Sequence, residues 1–294
     1  MVTCYKAGTS AVMEAWLASV CRHDAGADAC IVVLAKKGDV DDGLKRLVEA
    51  YAPDEVVEVD VGDDPVSTSR VHGVMLDSYV PGKVGTELVA TMDSDCFPVA
   101  DGWASGLEAM LDAGAGLAGI LHPWGPPPKD MKRTKLEWRV RSQHCWERTH
   151  VACQMARTAD LEGLGARFAQ GDDTGLMVTR AAAERGWRTA GYMATRCPKP
   201  AVGKVDPEFN RYAALVYGDK VFHLGGFTRV AACGDEPVFE ADFGWARDRV
   251  LKEKGAEFLL DDALSYRFRF DREEQVAAEK MQRLFGLADQ RMGL

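Results

Sequence analysis

The sequence predicts an α/β protein with a mainly parallel sheet and helices on the faces of that sheet. A continuous β-branched run, "ACIVVLAKKGD" at 29–39, suits a strand that is buried on both faces. Such runs alternate regularly with amphipathic segments over the first hundred residues, and no internal repeat interrupts them. Regular alternation of strand and helix is typical of a parallel sheet covered by helices.

The individual elements follow from apolar spacing and from turn residues. We expect helices at 10–23, 41–53 and 69–82 and strands at 29–39, 55–62 and 86–92. Ser10 is a candidate cap for the first helix, and Pro53 ends the second. Later segments are predicted as a surface loop at 121–138, a helix at 171–187 with acidic residues in its first turn, a short strand at 220–226 and a charged amphipathic helix at 271–292.

Composition excludes several classes of protein. The 294 residues are 47% hydrophobic with a net charge of −9, which argues against binding to nucleic acid mainly by bulk electrostatics. No apolar stretch approaches the roughly 20 residues of a membrane span. The N-terminus lacks the apolar core of a signal peptide, and the eight cysteines include no CxxC pair. We therefore expect a cytoplasmic protein with mostly reduced, buried cysteines.

Two carboxylates interrupt the apolar stretch "LVATMDSDCFPV" at 88–99. Asp93 and Asp95 follow a predicted strand, and ligands bind at the carboxyl ends of strands in parallel α/β sheets. If the chain turns there, both side chains can face one crevice, where their repulsion is relieved by a divalent cation such as Mg²⁺ or Mn²⁺. The alternative is a solvated loop in which one Asp caps a turn, and so short a pattern does not exclude it.

The order of motifs resembles the GT-A-type glycosyltransferases, a nucleotide-sugar-dependent family of the family 2 kind with a metal-binding Asp-x-Asp motif. The resemblance covers roughly residues 1–230, through these segments in order: "TCYKAGTSAVMEAWLASV", "HGVMLDSYV", "MDSDCFPV", "THVACQMART", "DDTGLMVTRAAAERGW" and "VFHLGG". It implies a Rossmann-like mixed sheet flanked by helices, in a domain at 1–240. The halves would be a nucleotide-sugar-binding half at 1–100 and an acceptor half at 101–240, followed by a helical extension at 241–294.

The resemblance also implies roles for the acidic pair. Asp95 would bind Mn²⁺ or Mg²⁺ directly, while Asp93 would contact the ribose or sugar or bind the cation through water, with Ser94 among the donor-binding residues. The cation would bridge the two phosphates of the donor and neutralise charge as the diphosphate leaves. His223 is the third candidate ligand because Mn²⁺ accepts imidazole beside carboxylates, the alternative being a hydrogen-bonded core histidine.

Two further carboxylates are candidates for catalysis. The family places an acidic residue at the start of the helix that Asp172 and Asp173 precede, and an inverting transferase needs a base near the attacking hydroxyl. We favour Asp173 as the base and keep Asp172 as its substitute. Capping of the helix by either carboxylate is the alternative, and a retaining enzyme would need no such base.

Other polar residues carry weaker interpretations. His72 is expected to face the phosphates or sugar of the donor, the alternative being a solvent-facing or packing role. Lys6 near the end of the first strand is expected to meet phosphate, the alternative being a plain surface lysine. His150 and Cys153 suggest zinc, but two ligands without a second pair make packing near the acceptor pocket the better interpretation. The segment "LAKKGDVDD" departs from the acidic, Ser/Thr-rich turn with which many relatives hold the nucleoside, so the nucleotide is not fixed, although UDP is favoured.

The resulting hypothesis is an inverting hexosyl- or pentosyltransferase that moves a sugar to a hydroxyl of a glycan, a lipid-linked molecule or a small molecule. Residues 129–148 hold seven Lys/Arg against three Asp/Glu beside two tryptophans, so a hydroxymethylated base in phage-type DNA is a minority option. The alternatives are a non-catalytic nucleotide-sugar- or glycan-binding module on the same scaffold and a nucleotidyltransferase. The helix at 271–292 would be a packing arm or a homodimer contact.

Overall fold

The structure is a computed structural model, and it describes residues 1–23, 29–62, 68–121, 149–170, 174–192, 194–196 and 214–224. Its α/β class agrees with the class that the sequence predicts. The helices are α1 (Ser10–Arg22), α2 (Asp42–Tyr51), α3 (Thr68–Lys83), α4 (Trp103–Asp112), α5 (Thr158–Leu164) and α6 (Leu176–Glu184).

The described strands form a seven-stranded sheet and a four-stranded sheet. The larger sheet has the order β3-β2-β1-β4-β7-β6-β8 and the smaller one the order β5-β11-β10-β9. The strands are β1 (Val2–Tyr5), β2 (Val32–Lys36), β3 (Glu55–Val59), β4 (Leu88–Met92), β5 (Cys96–Pro98), β6 (Leu117–Leu121), β7 (Thr149–Arg157), β8 (Thr189–Tyr192), β9 (Ala194–Arg196), β10 (Ala214–Tyr217) and β11 (Val221–Leu224).

The larger sheet is mixed, as the resemblance to GT-A glycosyltransferases implies. Strands β1 to β4 run parallel to one another, whereas β7 runs antiparallel to both of its neighbours, β4 and β6. The order β3-β2-β1-β4 is that of the first half of a Rossmann-type sheet. The sheet thus reverses its strand order between β1 and β4.

Helices cover both faces of the larger sheet, and each face has its own apolar core. Buried side chains of α1, α2 and α4 pack on one face, and buried side chains of α3, α5 and α6 pack on the other. The spacing that predicts α1 is confirmed, because its apolar positions are all at most 4% exposed: Val12, Met13, Trp16, Leu17 and Val20. Strand β2 is buried at four of its five positions, as expected for a strand covered on both sides.

One predicted helix cap and one predicted helix start are wrong. Ser10 is the first residue of α1 rather than its cap, and the hydroxyl of Thr9 at the cap position donates to the carbonyl of Lys6 (2.6 Å). The helix predicted at 171–187 begins only at Leu176, because Gly175 at the cap position has a left-handed φ of 72° that ends the helical path. Its first turn therefore contains no acidic residue.

Other predicted boundaries shift by a few residues. Pro81 and Gly82 have non-helical backbone angles, so the regular part of α3 ends before them. Leu121 belongs to β6 rather than to the predicted loop, while residues 122–148 lie outside the described residues. The predicted helix at 271–292 and the whole extension at 241–294 also lie outside them. Within the described part of the chain, no helix is both long enough and apolar enough to span a membrane.

The smaller sheet depends on an aromatic contact between its first two strands. Phe97 of β5 and Phe222 of β11 are register partners, both are 4% exposed, and their ring centroids lie 5.1 Å apart. A buried Phe-to-Ala change costs about 3–5 kcal/mol, so we expect Phe222→Ala to lower the free energy of unfolding by that amount. Urea denaturation measures it, with the exposed Lys37→Ala as a control that stays within about 0.5 kcal/mol of the unchanged protein. A loss below about 1 kcal/mol for Phe222→Ala would contradict this packing.

Candidate metal centre

The candidate site lies where the larger sheet reverses its strand order. Strands β1 and β4 are neighbours and end at the same edge, because they run parallel. Asp93 directly follows β4, and Lys6 directly follows β1. Parallel α/β sheets bind ligands outside the carboxyl ends of their strands at such a point.

A tight turn directs the acidic pair at this edge. The N–H of Cys96 donates to the carbonyl of Asp93 (2.9 Å), which closes a four-residue turn from Asp93 to Cys96. The N–H of Asp93 donates to the carbonyl of Ala152 on β7 (3.0 Å), so the turn is fixed to the neighbouring strand. The bend that the sequence argument requires for two carboxylates to share one site is therefore present.

Strand pairing brings a histidine to the pair from far along the chain. Strand β5 begins one residue after Asp95 and pairs antiparallel with β11, with Cys96 opposite His223. The Nε2 atom of His223 lies 3.8 Å from Oδ1 of Asp95. Both side chains are buried, at 8% and 6% exposure.

Asp93, Asp95 and His223 form a group with the chemistry of a cation site. One ligand atom from each residue lies within 4.8 Å of the other two. A cation with ligands at about 2.1 Å separates opposite ligand atoms by about 4.2 Å, so small side-chain rotations suffice for convergence. Two carboxylates with one imidazole suit Mn²⁺, which accepts both oxygen and nitrogen ligands, and the carboxylates also suit Mg²⁺.

Burial of the carboxylate supports this assignment. A charged group is costly to remove from water unless it is paired or coordinates a metal. Oδ1 of Asp95 and Nε2 of His223, which lie 3.8 Å apart, can both bind the same ion. The residues present therefore fit a divalent cation.

His72 lies beside Asp93. Its Nε2 atom is 3.4 Å from Oδ1 of Asp93, and its side chain is 21% exposed. His72 belongs to α3, which packs on the opposite face of the sheet from α1. Its position beside the candidate ligands is compatible with the role of facing the donor.

The loop after β1 is fixed by a carboxylate that sequence reasoning did not select. Asp41 accepts from the hydroxyl of Tyr5 (2.7 Å) and from the N–H groups of Gly8 (2.9 Å) and Leu44 (2.8 Å). Burial raises the pKa of Asp41, but these hydrogen bonds outweigh it, so the pKa lies below its usual value. Asp41 thus joins the start of α2 to the loop that carries Lys6, and its place as the first residue of a predicted helix was the signal that could have identified it.

Buried thiols surround the acidic pair and remain neutral. Burial raises the pKa of Cys96, as do nearby Cys153, Asp93 and Asp95. Burial and Asp93 likewise raise the pKa of Cys153 to about 12. Within the described ranges, Cys153 and His150 are not part of any group of potential metal ligands, so the interpretation as a zinc pair gains no support.

Several predicted site residues cannot be located. Asp172 and Asp173 lie outside the described residues, as do the basic segment 129–148 and the predicted C-terminal helix at 271–292. The structure brings together Asp93, Ser94, Asp95, His72 and His223, and it positions Lys6 at the end of the adjacent strand.

Comparisons with known proteins give structural matches only. No protein-family model matches the sequence, and no curated protein matches it. The structure of TarS 1-349 from S. aureus, which has also been solved with UDP-GlcNAc, is 18% identical with a TM-score of 0.42. That match covers 61% of this chain and 53% of the TarS structure, so this chain spans about half its length.

Two other solved structures are similar to this chain. The mannosyltransferase PcManGT from Pyrobaculum calidifontis, in complex with GDP-Man and Mn²⁺, is 13% identical with a TM-score of 0.45, over 98% of this chain and 74% of that one. A 4-diphosphocytidyl-2C-methyl-D-erythritolsynthase from Anaerococcus prevotii is 11% identical with a TM-score of 0.43, over 65% and 86%. TM-scores below 0.5 do not establish a shared fold, so function must be inferred from the residues of this chain. The chain resembles GT-A glycosyltransferases in its order of motifs, and a glycosyltransferase is among its structural matches.

The geometry predicts that the three ligands bind a cation together. We expect Asp95→Asn to weaken Mn²⁺ binding by at least about 100-fold, because even the loss of an outer-shell partner costs about 10- to 100-fold. Isothermal titration calorimetry with MnCl₂ measures the effect, and His223→Ala should weaken binding in the same direction. The exposed carboxylate of Asp101, which pairs with His23, supplies the matched control Asp101→Asn with unchanged affinity. Equal Mn²⁺ affinity of Asp95→Asn and the unchanged protein would rule out this site.

Proposed function

We propose that this chain is a metal-dependent glycosyltransferase that moves a sugar from a nucleotide-sugar donor to a hydroxyl acceptor. The observation that carries the proposal is the convergence of Asp93, Asp95 and His223 within 4.8 Å at the strand-order reversal of the sheet. A nucleotide sugar contains a diphosphate, and a site of two carboxylates and one imidazole can hold such an anion only through a cation.

The donor would lie across the ends of β1 and β4, in the half formed by residues 1–100. Asp95 and His223 would hold Mn²⁺ or Mg²⁺, which when bound neutralises the negative charge of the diphosphate. Asp93 and Ser94 would contact the ribose or sugar, with His72 beside them. Lys6 would meet a phosphate from the end of β1. We propose a UDP-sugar as donor.

The acceptor half would comprise residues 101–240, with Asp173 as the general base. Hydrogen bonds of described residues anchor the chain on both sides of Asp172 and Asp173. The carboxylate of Asp77 on α3 accepts from the N–H groups of Phe168 (2.7 Å) and Ala169 (3.0 Å). After the acidic residues, the N–H of Gly175 donates to the carbonyl of Phe168 (2.9 Å).

These anchors lie close to His72 and to His150. A Cβ atom added to Gly73, the neighbour of His72, would come within 2.5 Å of Cα of Ala169. A Cβ atom added to Gly175 would lie 3.1 Å from Cβ of Val151, the neighbour of His150. The chain just before Asp172 and Asp173 therefore packs against α3, and Gly175 just after them packs against β7. These contacts support a base near the acidic pair.

In the proposed inverting reaction, the carboxylate of Asp173 accepts the proton of the acceptor hydroxyl. The hydroxyl oxygen attacks the anomeric carbon as the bond from that carbon to the diphosphate oxygen breaks, and the nucleoside diphosphate leaves with both electrons of that bond. The chain supplies the base, holds the leaving group and orients the sugar. Asp172 would take over the role of base if Asp173 does not fill it.

The acceptor is proposed as a glycan, a lipid-linked molecule or a small molecule. Hydroxymethylated DNA bound through residues 129–148 is the minority option because that segment combines basic and aromatic residues. A cytoplasmic location and a homodimer through the helix predicted at 271–292 complete the proposal.

A donor screen tests the proposal directly. UDP-, GDP- and dTDP-sugars are compared by thermal shift with and without Mn²⁺, and the donors that bind are then assayed for slow hydrolysis. Stabilisation and hydrolysis that both require Mn²⁺ are the expected result. Binding without hydrolysis or transfer would identify a non-catalytic module, and release of pyrophosphate from a nucleoside triphosphate with a sugar phosphate would identify a nucleotidyltransferase.

If Asp173 is the base, its substitution should lower the rate of transfer without weakening nucleotide binding. We expect Asp173→Asn to reduce the turnover number for transfer by at least about 100-fold, because general bases contribute about 10²- to 10⁴-fold, while Mn²⁺-dependent nucleotide binding is retained. Asp172→Asn is the matched variant and should keep most of the turnover. Near-normal turnover of Asp173→Asn would exclude it as the base, and a loss confined to Asp172→Asn would transfer the role to Asp172.

A further inference from the structure

Strand β7 has an irregularity directly beside the acidic pair. Two consecutive residues of β6 are opposite Gln154 and His150, so the register on that side passes over residues 151–153. On the other side of β7, the register with β4 ends at Cys153. Irregularities of this kind bend a strand and re-aim its groups, and they are frequent next to active sites.

A glycine on β6 provides the space for this irregularity. A Cβ atom added to Gly119 would lie 2.2 Å from the carbonyl oxygen of Cys153 and 3.0 Å from Cα of Gln154. These neighbours are backbone atoms, which cannot rotate out of the way as the end of a side chain can. The close approach of β6 to the irregular part of β7 therefore requires glycine at this position.

On its other side, the irregular stretch is bonded to β4 and to the turn that carries the candidate ligands. The carbonyl of Ala152 accepts from the N–H of Asp93 (3.0 Å). The preceding carbonyl, that of Val151, accepts from the hydroxyl of Thr91 (3.0 Å). Consecutive carbonyls of β7 thus bind the backbone of Asp93 and the side chain two residues before it.

The hydrogen bond of the Thr91 hydroxyl lies in the interior of the protein. Thr91, Val151 and Ala152 are all at most 4% exposed. Removing one partner of a buried hydrogen bond leaves the other unsatisfied unless the chain moves. A movement of β7 at Val151 would carry the adjacent carbonyl of Ala152 with it, and with that carbonyl the backbone of Asp93.

We propose that Thr91 is a positioning residue of the metal centre, whose hydroxyl holds β7 where it fixes the turn from Asp93 to Cys96. Thr91 does not contact the cation but acts through the carbonyls of Val151 and Ala152. The inference rests on the proposed function, because the centre that it concerns is the one that would hold the diphosphate. Outer-shell partners of metal ligands contribute about 10- to 100-fold to metal affinity.

Three substitutions separate the hydroxyl of Thr91 from the size of the side chain. Thr91→Val keeps the branched shape and removes the donor, whereas Thr91→Ser keeps the donor and removes the methyl group. Thr91→Ala removes both groups and adds no apolar atoms. Its comparison with Thr91→Ser therefore tests the role of the hydroxyl even if Thr91→Val does not fold.

Thr158 supplies a matched control at the opposite end of the same two strands. Its hydroxyl donates to the carbonyl of Thr86 (2.8 Å), and the residue is 8% exposed. Arg157, the residue before it, is opposite Leu88 at the start of β4, whereas the acidic pair follows the end of β4. Thr158→Val therefore deletes a hydrogen bond of the same kind at the end of the strands away from the metal centre.

Isothermal titration calorimetry with MnCl₂, in the absence of nucleotide, measures the Mn²⁺ affinity of each variant, and urea denaturation measures its stability. We expect Thr91→Val and Thr91→Ala to weaken Mn²⁺ binding by about tenfold or more, and Thr91→Ser by less than about threefold. Thr158→Val should bind Mn²⁺ as the unchanged protein does, although its urea midpoint falls as that of Thr91→Val does.

Equal Mn²⁺ affinity of Thr91→Val, Thr91→Ala and the unchanged protein would overturn the inference and leave the proposed function intact. A loss that Thr91→Ser shares in full would also overturn it, because the hydroxyl would then not be the cause. A loss that Thr158→Val shares would do the same, because general destabilisation would then explain it. If the unchanged protein bound no Mn²⁺, the metal centre and the proposed function would fail together with this inference.

Discussion

The pairing of β5 with β11 is the constraint on which the candidate site depends. It joins the chain just after Asp95 to a strand more than a hundred residues later, and its register sets Cys96 opposite His223. The contact between the buried side chains of Phe97 and Phe222 stabilises that pairing. Packing of the smaller sheet therefore also brings the candidate ligands Asp95 and His223 together.

The burial of the Asp95 carboxylate beside His223 is the electrostatic feature that indicates a cation site. Asp95 is almost completely buried, and its carboxylate lies 3.8 Å from Nε2 of His223. Removing a carboxylate from water costs free energy, and a divalent cation bound beside it would offset part of that cost. The surrounding chain is organised around the same point. His72 approaches from α3, and the carbonyl of Ala152 on β7 fixes the backbone of Asp93.

The sequence predicts the features that depend on local pattern. Alternation of apolar runs with amphipathic segments predicts the helices and strands of the first half, and the apolar run before Asp93 predicts a strand that ends at the acidic pair. Features that depend on the pairing of distant strands cannot be predicted from a local sequence pattern. The opposition of His223 and Cys96, and the irregularity of β7 beside the acidic pair, arise from the register between distant segments. The start of α6 was missed because the backbone of Gly175, rather than the acidic residues before it, sets that boundary.

The central claim is that Asp93, Asp95 and His223 hold one divalent cation. Anomalous scattering from crystals soaked with MnCl₂, recorded above and below the manganese absorption edge, tests it most directly. The account predicts a single strong anomalous peak within about 2.3 Å of a carboxylate oxygen of Asp95 and of a ring nitrogen of His223. Crystals with those three side chains ordered and no manganese peak between them would contradict it.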